Sequence, residues 1–338
     1  MKQAVMTAPG VIEIREVDAP RPDQGEVLLC VKRIGICGSD IHVYHGRHPY
    51  TSYPVVQGHE FSAVVEGTGE GVTGIAAGAR VTALPQVVCG KCAPCRRGDY
   101  HICDVLKVQG FQAPGCAQEF FVTSAEKIVA LPEDFTFEQG ALVEPAAVAV
   151  HAVSRAPDPA GKNVAVLGAG PIGNLVAQVA RARGAHVLIT DLSDFRLEIA
   201  GRCGLEATSN ARKEDLKGAA GRVFGDGELE IVFECAGAED ALAAAVQTVG
   251  KGGTLIVVGV FGEKPTVDVG LVQDRELNLR GTLMYRREDY VEAVSLIAVG
   301  KMRTEPLDSK HFPLAEYAAA YAFIEKQREK CMKVFIDV

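Results

Sequence analysis

Three glycines stand where a short apolar run passes into a helical pattern, and this junction restricts the possible folds strongly. Residues 164–167 are apolar, Gly168-Ala-Gly170-Pro-Ile-Gly173 follows, and a helical pattern covers residues 174–183. A second apolar run, 187–190, comes directly after that helix. A strand, a tight turn, a helix and a second strand form the repeating unit of a parallel sheet with crossover helices. The sequence therefore predicts an α/β domain in this part of the chain.

Further segments continue the alternation of strand and helix. Apolar runs at residues 231–233 and 254–258 predict strands, and residues 196–203 and 240–249 predict helices. The last apolar run, Lys333–Asp337, predicts a C-terminal strand after a helical stretch that begins near Asp289. This alternation favours a doubly wound parallel sheet in the second half of the chain.

The first 145 residues have a different character. Short Val-rich and Ile-rich runs at 26–32, 61–66 and 79–84 are separated by glycine and proline, and no long amphipathic helix interrupts them. Such a pattern predicts β-strands joined by turns, arranged as a barrel-like domain. With 338 residues, the chain has room for about two domains of roughly 150 residues each.

Composition and charge exclude several classes of protein. Hydrophobic residues make up 48% of the chain, which excludes a largely disordered protein. The net charge of −8 offers no basic surface, so we expect no nucleic-acid partner and no anionic-membrane partner. The N-terminus has no signal-peptide pattern, and no apolar run approaches the roughly 20 residues of a membrane-spanning helix. We therefore expect a cytoplasmic protein.

The glycine junction also predicts a dinucleotide site, since its strand and helix context is the one such a site requires. Gly168 permits the tight turn, Gly170 lets the backbone approach a pyrophosphate, and Gly173 lets helix and strand pack closely. Asp191 ends the next strand, where a carboxylate accepts hydrogen bonds from ribose hydroxyls and repels a 2′-phosphate. NAD is therefore favoured over NADP, although the nearby Arg196 is able to accommodate a 2′-phosphate. Residues expected to shape this site are Gly168, Gly170, Pro171, Ile172, Gly173, Asp191 and Arg196.

Four cysteines are spaced to hold one metal ion. Cys89, Cys92, Cys95 and Cys103 follow one another at short intervals among turn-forming residues. In a reducing cytosol such clustering favours a metal over disulfides. Four thiolates wrap Zn²⁺ tetrahedrally and leave no open position, so the site is expected to be structural. An iron–sulfur cluster remains the alternative, because four cysteines also suit iron.

Other residues capable of binding zinc are scattered through the first domain. They are Cys37, in Cys-Gly-Ser-Asp-Ile-His; His59 and Glu60, at the start of a strand; and Glu144, just before the domain boundary. Three protein ligands and one open position make a catalytic zinc site. Spacing alone does not bring these residues together. Taken singly, His59 is more typical of a hydrogen-bonded core or surface residue than of a ligand, and Cys37 is more typical of a small buried apolar residue.

The order and separation of these motifs resemble those of the zinc-containing medium-chain dehydrogenases over essentially the whole chain. Leu-Val-Glu144-Pro-Ala-Ala-Val-Ala-Val-His151 is most similar to the sorbitol (polyol) dehydrogenase branch, and sugar-acid 5-dehydrogenases such as the L-galactonate enzymes are also similar. The resemblance implies a GroES-like β-rich catalytic domain at 1–145 and a Rossmann domain at 146–286. It also implies that residues 287–338 return to the catalytic domain.

The same resemblance implies roles for individual residues. Cys37, His59 and Glu60 would cluster at a catalytic zinc, with Glu144 ligating directly or through water. Asp40 would orient His59, Ser39 would hydrogen-bond the reacting oxygen, and His42 would pass its proton to solvent. The segment Val258, Gly259 and Val260 would meet the nicotinamide carboxamide, and Glu234-Cys-Ala-Gly237 would lie under the adenine side. We thus expect two zinc ions and one NAD per chain.

The implied activity is oxidation of a secondary alcohol, of the polyol, sugar-alcohol or sugar-acid class, to a ketone. Near Gly281 the chain departs from sorbitol dehydrogenases, because Met284 stands where they have an arginine. Threonine 3-dehydrogenase or butanediol dehydrogenase activity is the near alternative, and a non-enzymatic NAD- and zinc-binding redox sensor is the remote one. The family also implies a homotetramer or homodimer.

Overall fold

The chain leaves one folding unit near its middle, builds a second unit, and returns to the first at its C-terminus. The computed structural model describes residues 1–338. One unit comprises Met1–Glu144 and Asp308–Val338, and the other comprises Pro145–Leu307. None of the helices combines the length and the hydropathy that crossing a bilayer requires.

The first stretch of the first unit is built almost entirely from strands. Two short helices, α1 (Gly38–Tyr44) and α2 (Ala93–Arg96), and two 3₁₀ turns interrupt it. The strands are β1 (Lys2–Ala8), β2 (Val11–Glu16), β3 (Glu26–Gly35), β4 (Glu60–Thr68), β5 (Arg80–Ala83), β6 (Gln86–Val87), β7 (Lys107–Val108), β8 (Phe120–Ser124) and β9 (Ile128–Ala130).

The second unit alternates strands and helices, and the helix α3 (Phe137–Ser154) leads into it. Its strands are β10 (Asn163–Leu167), β11 (His186–Asp191), β12 (Ala207–Asn210), β13 (Ile231–Glu234), β14 (Thr254–Val257) and β15 (Asn278–Gly281). Its helices are α4 (Pro171–Ala182), α5 (Asp194–Arg202), α6 (Leu216–Phe224), α7 (Glu239–Thr248), α8 (Val269–Asp274) and α9 (Arg287–Ala298). The returning segment contributes β16 (Asp308–Pro313), α10 (Tyr317–Gln327) and β17 (Lys333–Asp337) to the first unit.

A seven-stranded sheet organises the first unit. Its order is β16-β17-β3-β4-β5-β9, and β8 pairs with the first half of β3. Val27, Leu29 and Val31 on β3 are buried while the residues between them are partly exposed, which is the alternation expected of a strand with one face in the core. The last strand of the chain, β17, pairs antiparallel with the end of β3. The C-terminal return is therefore an integral part of this sheet.

A six-stranded parallel sheet of order β12-β11-β10-β13-β14-β15 organises the second unit. The central strand β10 is buried along Val164–Leu167, as expected where helices cover both faces. The chain order reverses between β10 and β13, and ligands of such sheets bind at the carboxyl ends of the strands beside this reversal. This GroES-like β-rich domain and Rossmann-type sheet form the fold class that the sequence predicted.

The second unit extends beyond residue 286, where the sequence placed its end. Arg183 at the end of α4 donates hydrogen bonds of 3.1 and 2.8 Å to Glu292 on α9. The Gln178 side chain, also on α4, donates to the Arg303 carbonyl at 3.1 Å. Because these contacts fasten α9 and the segment after it to α4, the return to the first unit begins only after Leu307.

Candidate functional site

Cys37, His59 and Glu60 meet at the ends of two paired strands. Cys37 caps the start of α1 just after β3 ends at Gly35, while His59 precedes β4 and Glu60 begins it. The register places Gly35 opposite Glu60. One donor atom from each of the three residues lies within 4.8 Å of the others, and His59 and Glu60 are 5% and 1% exposed. A thiol, an imidazole and a carboxylate in a buried cluster are a donor set that suits Zn²⁺.

Asp40 faces the imidazole of this cluster. His59 Nδ1 lies 3.6 Å from Asp40 Oδ1, and Asp40 Oδ2 accepts a 2.9 Å hydrogen bond from the Cys37 backbone N–H. Burial alone would lower the pKa of His59, but the charges of Asp40, Cys37 and Glu144 outweigh it and raise that pKa well above its ordinary value. Burial raises the pKa of Asp40. Asp40 therefore links the backbone of one candidate ligand to the side chain of another.

Two residues that the sequence did not single out extend this contact into the core. The Gln57 amide donates to Asp40 Oδ1 at 3.4 Å and to its backbone oxygen at 3.3 Å. The Tyr321 hydroxyl, from α10, donates to Gln57 Oε1 at 2.6 Å. Tyr321 is fully buried and Gln57 is 1% exposed. Buried polar groups are normally hydrogen-bonded, and here the hydrogen bonds form one chain that ends at Asp40, which faces His59 at 3.6 Å.

Lys333 is a third residue that the sequence prediction missed. Its ammonium lies 2.8 Å from Glu60 Oε1 and 2.6 Å from Glu60 Oε2, and it donates to the Ile36 carbonyl at 3.2 Å. Lys333 is 3% exposed although it lies on the otherwise apolar strand β17. The sequence contained a signal for this ion pair, because Lys333 stands in an apolar run and a lysine buried in such a run usually has a charged partner.

Glu144, Ser39 and His42, which the sequence analysis also assigned to this site, do not belong to its closest set of donor atoms. Glu144 lies on α3, is 5% exposed, and its charge acts on both His59 and Lys333. Ser39 and His42 lie on α1, and Ser39 is half-buried while His42 is exposed. The mutually close donors are thus Cys37, His59 and Glu60, with Glu144 outside them.

The four-cysteine knuckle is a closed loop at a different place in the same unit. The two-stranded pair β6–β7 forms its base, with Val87 opposite Lys107. One sulfur atom from each cysteine lies within 4.8 Å of the other three, as a tetrahedral site for one ion requires. The four residues are Cys89, Cys92, Cys95 and Cys103.

Backbone N–H groups prepare the knuckle for a cation. The N–H of Lys91 and that of Cys92, which is 3.3 Å from Cys89 Sγ, lower the pKa of Cys89 to about 6. Partial desolvation and the neighbouring thiols raise the pKa of Cys95 to about 12. Four adjacent thiolates repel one another, so the full set ionises only when a cation neutralises it.

The glycine junction of the second unit has the close packing that the sequence predicted. A Cβ atom on Gly173 would lie 1.8 Å from the Gly168 carbonyl oxygen, and Gly168 has a φ of +100°. Pro171 is the first residue of α4, which follows the extended residue Gly170. Ile172 is half-buried on the first turn of this helix. The turn thus leaves the first N–H groups of α4 without intrahelical partners, as an anion site requires.

Asp191 ends β11 beside this turn. Its Oδ2 accepts a 2.7 Å hydrogen bond from the Ala169 N–H, and its Oδ1 accepts a 2.8 Å bond from the Ser193 N–H. Arg196 Nη1 lies 3.8 Å from Asp191 Oδ2. Backbone N–H groups from the loops after β10 and β11 therefore hold the Asp191 carboxylate, and the Arg196 guanidinium lies close to it.

The loops after β13 and β14 contact each other at the same edge of the sheet. Glu234 Oε1 accepts hydrogen bonds from the Ala236 and Gly237 N–H groups at 2.9 and 2.8 Å. A Cβ on Gly237, whose φ is +63°, would lie 2.5 Å from the Val260 carbonyl oxygen. Burial raises the pKa of Glu234. The predicted contact segment is half-buried at Val258 and Gly259 and exposed at Val260.

Family profiles match both units. The profile of the alcohol dehydrogenase GroES-like domain matches residues 23–133, and that of zinc-binding dehydrogenases matches residues 171–299.

Curated relatives match over nearly the full chain. A 2-dehydro-3-deoxy-L-galactonate 5-dehydrogenase of Pseudoalteromonas atlantica is 38% identical over 91% of this chain and 90% of its own. A sorbitol dehydrogenase of Halalkalibacterium halodurans is 33% identical over 96% of both chains. An L-threonine 3-dehydrogenase of Pyrococcus horikoshii is 34% identical over 91% of this chain and 90% of its own.

Solved structures superpose over the whole chain. A zinc-binding dehydrogenase from Sinorhizobium meliloti, bound to NADP, is 29% identical with a TM-score of 0.91. An alcohol dehydrogenase from Escherichia coli CFT073, in complex with NADH, is 29% identical with a TM-score of 0.92. In both cases the match covers 100% of this chain and 99% of the other.

Proposed function

This chain belongs to the zinc-containing medium-chain alcohol and polyol dehydrogenases, and from that premise we propose that it oxidises a secondary alcohol of a polyol or sugar acid to a ketone with NAD as hydride acceptor. The convergence of Cys37, His59 and Glu60 within 4.8 Å carries this proposal. Three protein ligands, of which His59 and Glu60 are buried and Cys37 is half-buried, would leave a fourth position open for the substrate, which distinguishes this cluster from the closed four-cysteine knuckle.

The chemistry divides between the bound groups and the chain. Zinc supplies a Lewis acid that lowers the pKa of the substrate hydroxyl, and NAD accepts a hydride from the carbinol carbon. The chain supplies the surroundings of the ligands: the Asp40 carboxylate faces the imidazole of His59 at 3.6 Å, and partners of this kind tune the basicity of a ligand. Ser39, half-buried on α1, accepts the hydroxyl proton as it gives its own proton to the exposed His42 on the same helix, and His42 releases a proton to water.

The second unit binds the dinucleotide. The free N–H groups at the start of α4 hold the pyrophosphate, and Gly170 lets the backbone approach it. Asp191 accepts hydrogen bonds from the adenosine ribose hydroxyls, and its negative charge disfavours a 2′-phosphate. We therefore propose NAD as the preferred cofactor, with the adjacent Arg196 weakening the exclusion of NADP.

The names of the relatives bear on the substrate class. Two act on a sugar acid and on sorbitol, and the third acts on threonine. A panel of hexitols, pentitols, aldonates, threonine and butanediol, assayed by NAD reduction at 340 nm, discriminates among these classes. Turnover with polyols or aldonates supports the proposed class, whereas turnover with threonine or butanediol alone assigns the near alternative.

Ligand substitutions test the catalytic centre. Cys37→Ser and His59→Ala each remove one donor from the buried cluster, so turnover should fall by at least about a hundredfold while NADH binding stays measurable. Cys30→Ser is the matched control, since Cys30 is a thiol of the same unit outside both metal clusters. Full activity of Cys37→Ser would refute the proposed site.

Metal analysis separates an enzyme from a binding protein. The two clusters predict two zinc ions per chain, and Cys37→Ser should retain one. A wild-type protein with a single zinc that persists in Cys37→Ser would instead indicate the redox-sensor alternative. Iron with sulfide in place of zinc would indicate a cluster at the knuckle.

Compartment and assembly complete the proposal. All ten cysteines are free thiols, and a metal-binding knuckle of four thiols is favoured by a reducing environment, which supports a cytoplasmic protein. We also propose a homo-oligomer. Its contact involves β15, which is the edge strand of the parallel sheet and pairs only with β14.

A further inference from the structure

Lys333 has the environment of a buried cation with every donor engaged. A lysine ammonium carries three N–H donors, and here it meets three acceptors, namely Glu60 Oε1, Glu60 Oε2 and the Ile36 carbonyl oxygen. The side chains of Lys333 and Glu60 are 4% and 1% exposed. The carbonyl belongs to the residue before Cys37, so one ammonium contacts the chain on both sides of the zinc cluster.

The backbone makes room for this contact. Gly35 is paired with Glu60 on one side and with Phe335 of β17 on the other. A Cβ at Gly35 would lie 2.3 Å from Glu60 Oε2 and 3.4 Å from Lys333 Cδ. The carboxylate and the lysine stem therefore occupy the space that any other residue at position 35 would fill.

The charges make this contact unusual. A cation beside a site for a divalent cation weakens metal binding unless the site has surplus negative charge. Here the Cys37 thiolate, Glu60 and Glu144 supply three negative charges, one more than a dication neutralises, while Asp40 faces His59. Lys333 supplies the remaining positive charge, and it does so on the one ligand whose two oxygens it binds.

We infer that Lys333 is a positioning residue that shares the Glu60 carboxylate with the catalytic zinc, so that lysine and metal compete for the same ligand. This inference rests on the proposed zinc site. It makes Glu60 the ligand whose bond to the metal is adjustable, because the ammonium of Lys333 donates hydrogen bonds to Glu60 and not to Cys37 or His59. Removing a residue that orients Glu60 would speed the release of zinc, whereas removing a residue that competes for Glu60 would slow it.

Release of zinc to a chromogenic chelator measures this difference in the holoenzyme. The phase of release that Cys37→Ser lacks identifies the catalytic zinc. In Lys333→Met, which keeps the apolar stem, this phase should slow by about tenfold, because a positive charge next to the ion is gone and Glu60 is freed for the metal. Lys333→Arg should release zinc at nearly the wild-type rate, since it retains the charge.

A double variant shows whether Lys333 acts through Glu60. With Glu60→Gln in place, adding Lys333→Met should change the release rate much less than it does in the wild type. The absorption bands of the Co²⁺-substituted protein should shift in Lys333→Met and not in Lys333→Arg. Lys162→Met is the matched control, because Lys162 forms a 3.1 Å pair with Glu230 on the surface of the other unit.

The outcomes separate the inference from the function on which it rests. Faster release from Lys333→Met, by about 10- to 100-fold as for the loss of an orienting partner, would overturn the inference, and so would an unchanged rate. If Lys333→Met does not fold, Glu60→Gln/Lys333→Met must release zinc at the rate of Glu60→Gln, and a clear difference would overturn it. Absence of a Cys37-dependent phase in the wild type would refute the zinc site itself.

Discussion

Gly173 lies where helix and strand approach so closely that a single methyl group does not fit. A Cβ there would meet the Gly168 carbonyl at 1.8 Å, and that atom belongs to the backbone and has no freedom to move aside. We expect Gly173→Ala to weaken NADH binding and to lower the unfolding free energy by about 1–3 kcal/mol. NADH fluorescence titration and urea unfolding measure the two effects.

Gly201 on α5 provides the control for this substitution. A Cβ at this position has no neighbour within 4 Å, so Gly201→Ala should stabilise the protein by up to about 1 kcal/mol through helix propensity alone. Equal behaviour of the two alanine variants would show that the turn is not as tightly packed as described.

We expect Asp191 to set the cofactor preference by its charge. In Asp191→Ser the ribose hydroxyls lose an ionic acceptor and a 2′-phosphate no longer meets a carboxylate, while Arg196 remains. The ratio of kcat/KM for NAD to that for NADP should fall by about tenfold or more. Asp194→Ser, which removes an exposed carboxylate paired with Lys213, should leave the ratio unchanged.

The zinc knuckle behaves as a separate element, because β6–β7 closes it at its base and the catalytic cluster uses none of its residues. Cys95→Ser removes one of four donors, so the loop should lose its ion and become susceptible to proteolysis. Thermal unfolding should begin several degrees lower, because metal binding supplies folding energy. Limited proteolysis with zinc analysis tests this, and protection equal to that of wild type would contradict it.

The strand pair β16–β17 carries a pH-dependent contact. His311 lies 2.8 Å from both Asp308 and Asp337, and although burial lowers its pKa, these carboxylates raise it above the ordinary 6.5. Because the pKa is higher in the folded state, the contact stabilises fully below about pH 6.5. The contact loses its stabilising effect as the pH rises through the pKa that His311 has in the folded protein.

Urea unfolding as a function of pH tests this contact. The stability difference between wild type and His311→Gln should be greatest under mildly acidic conditions and should vanish in alkaline solution. The exposed His186 on β11 serves as the control, and a His311→Gln difference that increased with pH would contradict the assignment.

At the scale of the whole molecule, β15 is an open edge. Its four residues are exposed, Leu279 on it is 37% exposed, and Leu283 just beyond it is 54% exposed. An unprotected edge strand with apolar side chains pairs readily with another chain. We therefore expect Leu279→Lys to shift the protein toward smaller assemblies in light scattering. Val291→Lys, at a 57% exposed position of α9, should not do so, and a monomeric wild type would refute the proposal.

Local sequence patterns were sufficient to predict the four-cysteine knuckle and the glycine junction. The knuckle cysteines fall within 15 positions, and the glycine junction lies between one strand and the helix that follows it. Spacing along a short segment nearly fixes distances in space, so these motifs predicted their own geometry. The strand β12 and the edge strand β15 were missed because they are short and mostly polar. The helix α6 was also missed, although its buried residues Leu216, Ala219 and Ala220 have helical spacing.

Tertiary structure alone decided what surrounds the catalytic cluster. Lys333 and Tyr321 lie more than 260 positions from the residues they contact, Glu60 and Gln57. Lys333 reaches Glu60 because β17 pairs with β3, in a register that places Phe335 opposite Gly35. The sequence offered Cys37, His59 and Glu60 as candidate zinc ligands through the family resemblance of their motifs, since their spacing did not bring them together. Only the sheet register brought a buried ammonium to Glu60, since pairing between distant strands is set by packing of the whole core rather than by any local pattern.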